Sequence, residues 1–218
     1  MGCGGALGVA AADALAAAGA SVLCDGPEET LRPEAAAQRL GRLDIVVHVA
    51  APSVPVAFVD RDDARWMADL EARVLEPIRL ARDAAAVMAP TGGGVFVFVG
   101  TLDATHAYAG HADASVAMGA LLGLVRTLAV ELAPVAVRAN AVLVGPLAEA
   151  RAVAGADPER LARTLLRSPS KRFVTPAEAA EAIVFVAGPG AGFMTGASLR
   201  VDGGWGSLNQ APDGMRFR

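Results

Sequence analysis

The sequence predicts one α/β domain in which a doubly wound parallel sheet lies between two layers of helices. Short β-branched runs alternate with longer alanine-rich stretches of helical periodicity, and glycines and prolines fall between them. Strands that alternate with helices form parallel sheets covered on both faces. The chain has 218 residues, 54% of them hydrophobic, which suffices for a single core. We therefore expect one domain spanning residues 1–218.

Each element follows from its local pattern. Five strands are predicted, at residues 21–24, 44–49, 95–99, 137–142 and 198–201. Six helices are predicted, at residues 7–18, 34–40, 62–88, 112–132, 158–167 and 176–187. The run from Val95 to Val99 is apolar at every position, which is typical of a strand buried on both faces. Pro77 lies inside the longest helical pattern and predicts a kink or a local relaxation there.

Composition and charge exclude several function classes. The net charge of −4 and the scattered arginines provide no basic surface for nucleic acid. No apolar stretch approaches the roughly 20 residues of a membrane-spanning helix, so no membrane segment is expected. The N-terminal residues lack the pattern of a secretion signal, and Cys3 and Cys24 are too few for a disulfide framework. These observations predict a soluble, cytoplasmic protein with reduced thiols.

Five segments resemble one family, in the family's order. The segment Gly2-Cys-Gly-Gly-Ala-Leu-Gly8 opens a helix and resembles the glycine-rich turn of the short-chain dehydrogenase/reductase family, with Ala6 at its middle glycine. Residues 43–51, 138–142, 172–180 and 195–204 resemble later segments of the same family. The resemblance implies a Rossmann-like fold, an NAD(P) cofactor and oxidoreductase chemistry.

The catalytic residues of that family are mostly missing. The resemblance implies a tyrosine, acidified by a nearby lysine, that gives a proton to a carbonyl oxygen while hydride arrives from nicotinamide. Residues 121–132 resemble the helix after the active site, which puts Ala114 at the tyrosine position and Met118 at the lysine position. Thr101 stands at the position of the assisting hydroxyl, and Arg73 at the position of an asparagine. Neither Ala114 nor Met118 can ionise.

Other side chains could supply the missing groups. Tyr108 is the only tyrosine in the chain and is a candidate replacement acid, although a loop aromatic that packs on its surroundings is the alternative. His106, His111 and Asp113 are close in sequence and could form a general base or bind metal, or could be solvated loop residues. Because they lack further ligands at metal spacing, we predict no metal site. His48 is predicted to be a hydrogen-bonded core histidine.

The cofactor site implied by the resemblance is incomplete. Its residues would be Gly2, Gly4, Ala6, Leu7, Gly8, Asp25, Ala50 and Gly145. The Cβ of Ala6 narrows the space in which the backbone could approach a pyrophosphate. Asp25 lies one residue short of the family spacing for the residue that binds the ribose, and a turn explains this aspartate equally well. Glu149 stands where the family has threonine, and its charge would repel a dinucleotide. NAD(P) therefore remains possible, but no cofactor is firmly predicted.

Two strands of the family sheet have no counterpart. Only Met1 precedes the glycine-rich turn, so the central first strand is missing, and residues 25–43 are too few for the third strand and its helices. A gap in the middle of a sheet would leave buried backbone groups unpaired, at about 1–3 kcal/mol each. We therefore expect translation to begin upstream of residue 1.

The resemblance and its departures together predict a non-catalytic subunit. Such a protomer would form a homo-oligomer, or a hetero-oligomer with an active relative, through helices 62–88 and 112–132. The alternatives are an NAD(P)-dependent oxidoreductase that uses Thr101 with a substituted acid, a lyase-like enzyme, and a ligand-binding protein. Residues 147–172 would cover a substrate: their arginines could receive an acidic or acyl-phosphopantetheine substrate, or could line a solvated helix. Residues 206–218 would form a tail against a neighbouring subunit.

Overall fold

The core of the protein is a four-stranded parallel sheet. The computed structural model describes residues 5–25, 31–51, 53–148, 165–166 and 168–207. The strands are β1 (Ile45–Val49), β2 (Gly94–Thr101), β3 (Val137–Val144) and β4 (Ser198–Val201). They lie side by side in chain order, and all three neighbouring pairs are parallel. The predicted parallel sheet is therefore present.

Helices cover both faces of this sheet. They are α1 (Ala6–Ala17), α2 (Pro33–Leu40), α3 (Asp63–Leu70), α4 (Glu76–Met88), α5 (Ala112–Glu131) and α6 (Pro176–Ala187). Residues of α2, α4 and α5 share one apolar core with one face of the sheet. Residues of α1 and α6 share a second core with the opposite face. The predicted three-layer, doubly wound architecture is confirmed.

Strand β2 shows how the sequence specifies these layers. Its side chains alternate between the two faces, because successive residues of a strand point to opposite sides. Val95, Val97 and Val99 contribute to the core under α1 and α6. Phe96 and Phe98 contribute to the core under α4 and α5, with their rings stacked at 5.9 Å between centroids. Both faces are buried, so every position along this strand is apolar.

The long predicted helix at residues 62–88 is interrupted where Pro77 requires it. Helix α3 is followed by a π-helical turn, Glu71–Leu75, and then by α4. Pro77 lies in the first turn of α4, where a residue without an N–H is tolerated. A π turn widens the helix, which is one way to accommodate a residue that cannot donate a hydrogen bond. The predicted local relaxation is confirmed.

Three expectations about the elements need correction or remain untested. Residues 21–24 form no strand in the described structure, because no strand lies beside them there. The predicted helix at residues 158–167 falls outside the described residues except for two helical residues, 165 and 166. Of the predicted tail, residues 208–218 also fall outside them. The 21–24 prediction failed because a strand exists only when a neighbour pairs with it.

Two expectations drawn from composition also differ from the structure. Helix α5 is 20 residues long and apolar enough to cross a membrane, contrary to the expectation that no such segment exists. However, Leu121 and Val125 on one of its faces lie in the protein core, which explains the apolar composition without a membrane. In addition, Cys24 is disulfide-bonded, whereas reduced thiols were expected.

Candidate functional site

The candidate site lies where the parallel strands end. In an open α/β sheet, loops at the carboxyl ends of the strands form the crevice in which ligands bind. Ala50 follows β1, Thr101 ends β2 and Gly145 follows β3. The Ala50 N–H donates to the Val99 carbonyl at 2.9 Å, and the Gly145 N–H donates to the Val201 carbonyl at 2.9 Å. Backbone pairing therefore fixes this edge of the sheet.

Helix α5 places Ala114 and Met118 in the core beside this edge. The two residues are 5% and 2% exposed. The Met118 sulfur lies directly against the backbone of Gly100, since a Cβ added to Gly100 would come within 2.3 Å of it. The absence of a side chain at Gly100 thus lets the thioether fill the space beside β2. A methyl group and a thioether cannot donate a proton at this place.

A carboxylate that the sequence prediction missed lies next to Thr101. The Thr101 hydroxyl donates a hydrogen bond to Oδ2 of Asp103, which is only 9% exposed. The other oxygen, Oδ1, is buried and has no hydrogen-bond partner among the described residues. His111 Nδ1 lies 3.7 Å from that oxygen. Thr101, Asp103 and His111, which we call the Asp103 cluster, therefore bring a hydroxyl, a carboxylate and an imidazole together.

A second polar cluster surrounds Asp113, at the start of α5. Asp113 Oδ2 accepts a hydrogen bond from the Ser53 hydroxyl at 2.7 Å, and Oδ1 lies 3.1 Å from Arg61 Nη2. Arg73 Nε lies 3.7 Å from Oδ2, and Arg73 Nη1 donates to the Ala51 carbonyl at 2.6 Å. Arg73 therefore ties the segment after β1 to α5.

Opposing effects act on the Asp113 carboxyl. Burial, the largest effect, raises its pKa, but the hydrogen bonds from Ser53 and the Ala114 N–H and the charges of Arg61 and Arg73 outweigh it. The net result is a lowered pKa. Arg61 is itself fully buried, forms an ion pair with Asp69 and lies 5.5 Å from the centre of the Trp66 ring. Asp113 is thus charged at neutral pH and is held by a hydrogen bond and by ion pairs.

The histidines His106 and His111 do not form a cluster with Asp113. His106 Nε2 lies 3.1 Å from the Gly206 carbonyl oxygen and Nδ1 lies 2.9 Å from the Thr105 hydroxyl. Both ring nitrogens of His106 are therefore engaged, whereas His111 approaches Asp103 instead. Within the described residues, no group of three or more metal-binding side chains occurs.

Tyr108 and His48 each contact other side chains of the protein. The Tyr108 hydroxyl accepts a hydrogen bond from Trp205 Nε1 at 2.8 Å, which ties the loop after β2 to the turn after β4. This contact supports the interpretation of Tyr108 as a packed loop aromatic. His48 lies beside Phe98, and burial lowers its pKa to about 4. His48 is therefore neutral at pH 7, although no hydrogen-bond partner for it is present among the described residues.

Only part of the implied dinucleotide site lies within the described residues. Ala6 is exposed at the start of α1, whereas Leu7 and Gly8 are buried against the core. Asp25 Oδ1 accepts a hydrogen bond from the Leu31 N–H at 2.6 Å, which supports the interpretation of Asp25 as a turn residue. A side chain at Gly145 would collide with Asp202. The absence of a side chain at Gly145 therefore lets the two backbones lie close together. Gly2, Gly4 and Glu149 lie outside the described residues.

Sequence reasoning missed Asp103, Arg61 and Ser53. Asp103 follows Thr101 by two positions directly after a buried strand, and that spacing at a strand end could have indicated it. Arg61 and Ser53 carry no local signal, because their partner Asp113 is 52 and 60 residues away in sequence. Only the tertiary structure brings these residues together.

Comparisons with known proteins agree with this architecture. A family profile described as enoyl-(acyl carrier protein) reductase matches residues 28–206. An uncharacterized oxidoreductase of Thermotoga maritima is 35% identical over 173 residues, covering 77% of this chain and 68% of the relative. A cis-4-hydroxycyclohexanecarboxylate dehydrogenase of Sinomonas cyclohexanicum is 33% identical, with 78% and 68% covered. The crystal structure of a proposed gluconate dehydrogenase from Agrobacterium tumefaciens superposes with a TM-score of 0.87 at 27% identity, covering 93% of this chain and 92% of that one.

Proposed function

Because this chain belongs to the short-chain dehydrogenase/reductase family, we propose that it is a subunit of that fold which does not itself carry out the family's oxidoreduction. One observation carries the proposal. Ala114 and Met118, at the positions where the resemblance places the acid and its activating ammonium, are both buried and cannot ionise. A reaction that turns a carbonyl into an alcohol needs a proton at the oxygen, and these two residues supply none.

The proposed partner is a second protomer, either another copy of this chain or an active member of the family. Apolar side chains on α3, on α4 and on the π turn between them remain exposed, including Met67 at 63%, Leu75 at 39% and Ile78 at 38%. On α5, Val116 is 49% and Val130 is 76% exposed. Exposed apolar side chains on long helices support pairing with a matching helical surface.

A second candidate function is oxidoreduction with a substituted acid. The named relatives are oxidoreductases and dehydrogenases, which favours this class. The Asp103 cluster could serve it, since Asp103 could orient His111 through Nδ1 and leave Nε2 free to exchange a proton. Thr101 would need to turn its hydroxyl from Asp103 towards a substrate oxygen. The subunit proposal is preferred because Ala114 and Met118 are buried and cannot ionise.

Calorimetric titration with NADH and NADPH distinguishes the two functions. For the subunit we expect no binding at micromolar concentrations, in both the wild-type chain and Asp103→Asn. Micromolar binding, with turnover of a ketone that Asp103→Asn abolishes, would favour the substituted enzyme. Asp83→Asn, at a partly exposed position that is not part of the cluster, is the matched control and should behave as wild type in either case.

A further inference from the structure

The chain between β1 and α3 carries several apolar side chains on the protein surface. In residues 53–60, which we call the 53–60 segment, Val54 is 64%, Phe58 is 69% and Val59 is 88% exposed. Phe58 and Val59 lie together in a short 3₁₀ turn. Apolar side chains that stay exposed close to one another mark a surface that contacts another molecule.

Hydrogen bonds hold the 53–60 segment against the start of α5 and the loop before it. The Ser53 hydroxyl donates to Asp113 Oδ2 at 2.7 Å, at the beginning of the segment. In the middle of the segment, the Val56 N–H donates to the Gly110 carbonyl at 2.9 Å. Pro55 also lies close to Gly110, since a Cβ added to Gly110 would come within 3.1 Å of it. The exposed side chains therefore project from a backbone that is anchored at two places.

A buried arginine anchors the other end of the segment. The Arg61 side chain is fully buried, forms an ion pair with Asp69, and places its Nη2 3.1 Å from Asp113 Oδ1. Its guanidinium lies 5.5 Å from the centre of the Trp66 ring. The Phe58 ring packs edge-on against the same Trp66 ring, with 6.3 Å between the centroids. Because a buried charge is stable only with its partners, this network keeps the Phe58 ring in place at the surface.

Exposed carboxylates border the apolar side chains. Asp60, Asp62 and Asp63 are all exposed where the segment meets α3. Arg61 lies between them in sequence but is buried, so Arg65 is the one exposed cation among residues 58–65. Arg65 Nε itself lies 3.8 Å from a carboxylate oxygen of α3. The surface therefore combines apolar contact area with a net negative charge, which is complementary to apolar side chains flanked by lysine or arginine.

We infer that the 53–60 segment and the first turn of α3 form a docking site for a basic amphipathic helix of another protein. An amphipathic helix presents an apolar stripe with charged residues along its borders. Its stripe covers Val54, Phe58 and Val59, and its lysines or arginines face the three exposed carboxylates. Because the segment is anchored before the partner arrives, binding requires little further ordering of the chain. This inference is independent of the proposed function, because neither a cofactor nor a second protomer enters it.

Fluorescence anisotropy of a labelled synthetic peptide tests the docking site. The peptide is an amphipathic helix of leucine and lysine, about 14 residues or four turns long, and is titrated with the full chain. We expect a Kd in the micromolar range, and a Kd at least about tenfold higher for the double variant Phe58→Ser with Val59→Ser. Asp60→Asn with Asp63→Asn should raise the Kd about threefold or more and weaken its dependence on salt concentration.

Phe193→Ser is the matched control, because Phe193 is also exposed but lies between α6 and β4, and its Kd should equal that of the wild type. The inference is overturned by the absence of micromolar binding, by an equal Kd for the wild type and the Phe58→Ser, Val59→Ser variant, or by equal weakening in Phe193→Ser. If the Phe58→Ser, Val59→Ser variant is unfolded, the Asp60→Asn, Asp63→Asn variant decides, and an unchanged Kd overturns the inference. If the Phe58→Ser, Val59→Ser variant instead lowers the mass of the chain alone in light scattering, the surface belongs to a second copy and the inference also fails.

Discussion

Met118 is buried, and its surroundings would not accommodate a charged side chain. Its side chain is 2% exposed, and its sulfur lies against the Gly100 backbone. We expect Met118→Lys to lower the free energy of unfolding by about 2–5 kcal/mol, because a buried ammonium loses its hydration and finds no partner there. Met118→Leu keeps the volume and should cost less than about 1.5 kcal/mol. Urea unfolding at pH 7 measures both, and equal stability of the two variants would contradict this packing.

The ion pair between Asp113 and Arg61 makes a second prediction at the residue scale. We expect Asp113→Asn to destabilise the fold by about 3–5 kcal/mol at pH 7, since it leaves the buried Arg61 charge without one of its partners. The pKa of Asp113 is lowered in the folded state, so its stabilisation is complete above the unfolded pKa and is lost as the pH falls through the folded pKa.

The pH dependence provides the check on this second prediction. The difference in unfolding free energy between wild type and Asp113→Asn should shrink as the pH falls below about 4, the usual pKa of an aspartate. Asp83→Asn is the control, because Asp83 also pairs with an arginine, Arg82, but at the surface, where its side chain is 39% exposed. We expect Asp83→Asn to change the free energy of unfolding little at any pH. A constant difference for Asp113→Asn across this range would show that the charge of Asp113 is not the cause.

At the scale of the element, helix α6 begins with a complete capping box. The Thr175 hydroxyl accepts a hydrogen bond from the Glu178 N–H, and the Glu178 carboxylate accepts one from the Thr175 N–H. We expect Thr175→Ala to cost about 1 kcal/mol in unfolding free energy, because an N–H of the first turn loses its acceptor. Thr175→Ser keeps the hydroxyl and should be close to wild type. Thermal unfolding compares them, and equal losses in both variants would count against the cap.

The elements also show which features the sequence could predict. The continuous apolar run of β2 and the helical periodicity of α5 and α6 were sufficient to place those elements, because each pattern is local. Residues 21–24 have the same kind of apolar run, but strand formation depends on a neighbour that the described sheet lacks. The role of Thr101 is implied by the family resemblance, whereas the approach of His111 to Asp103 depends on how a turn packs on α5.

At the scale of the whole molecule, the exposed apolar side chains of the two long helices predict self-association or pairing with a relative. We expect Leu75→Glu and Val116→Glu each to shift the purified protein towards the monomer, since a charge would be buried in the interface. Val9→Glu on α1 is the control, because Val9 is also 49% exposed but lies on a helix of the opposite layer. Light scattering after size-exclusion chromatography measures the mass. An unchanged mass in both helix variants would place the interface elsewhere.

The central claim is that the family scaffold is present without a group to protonate a substrate oxygen. Its most direct test is the consumption of NADH or NADPH by the purified chain alone, measured by absorbance with a panel of ketones. The account predicts a rate equal to that without protein, for the wild-type chain and for Thr101→Ala alike. Ketone-dependent consumption by the wild-type chain that Thr101→Ala removes would contradict the claim.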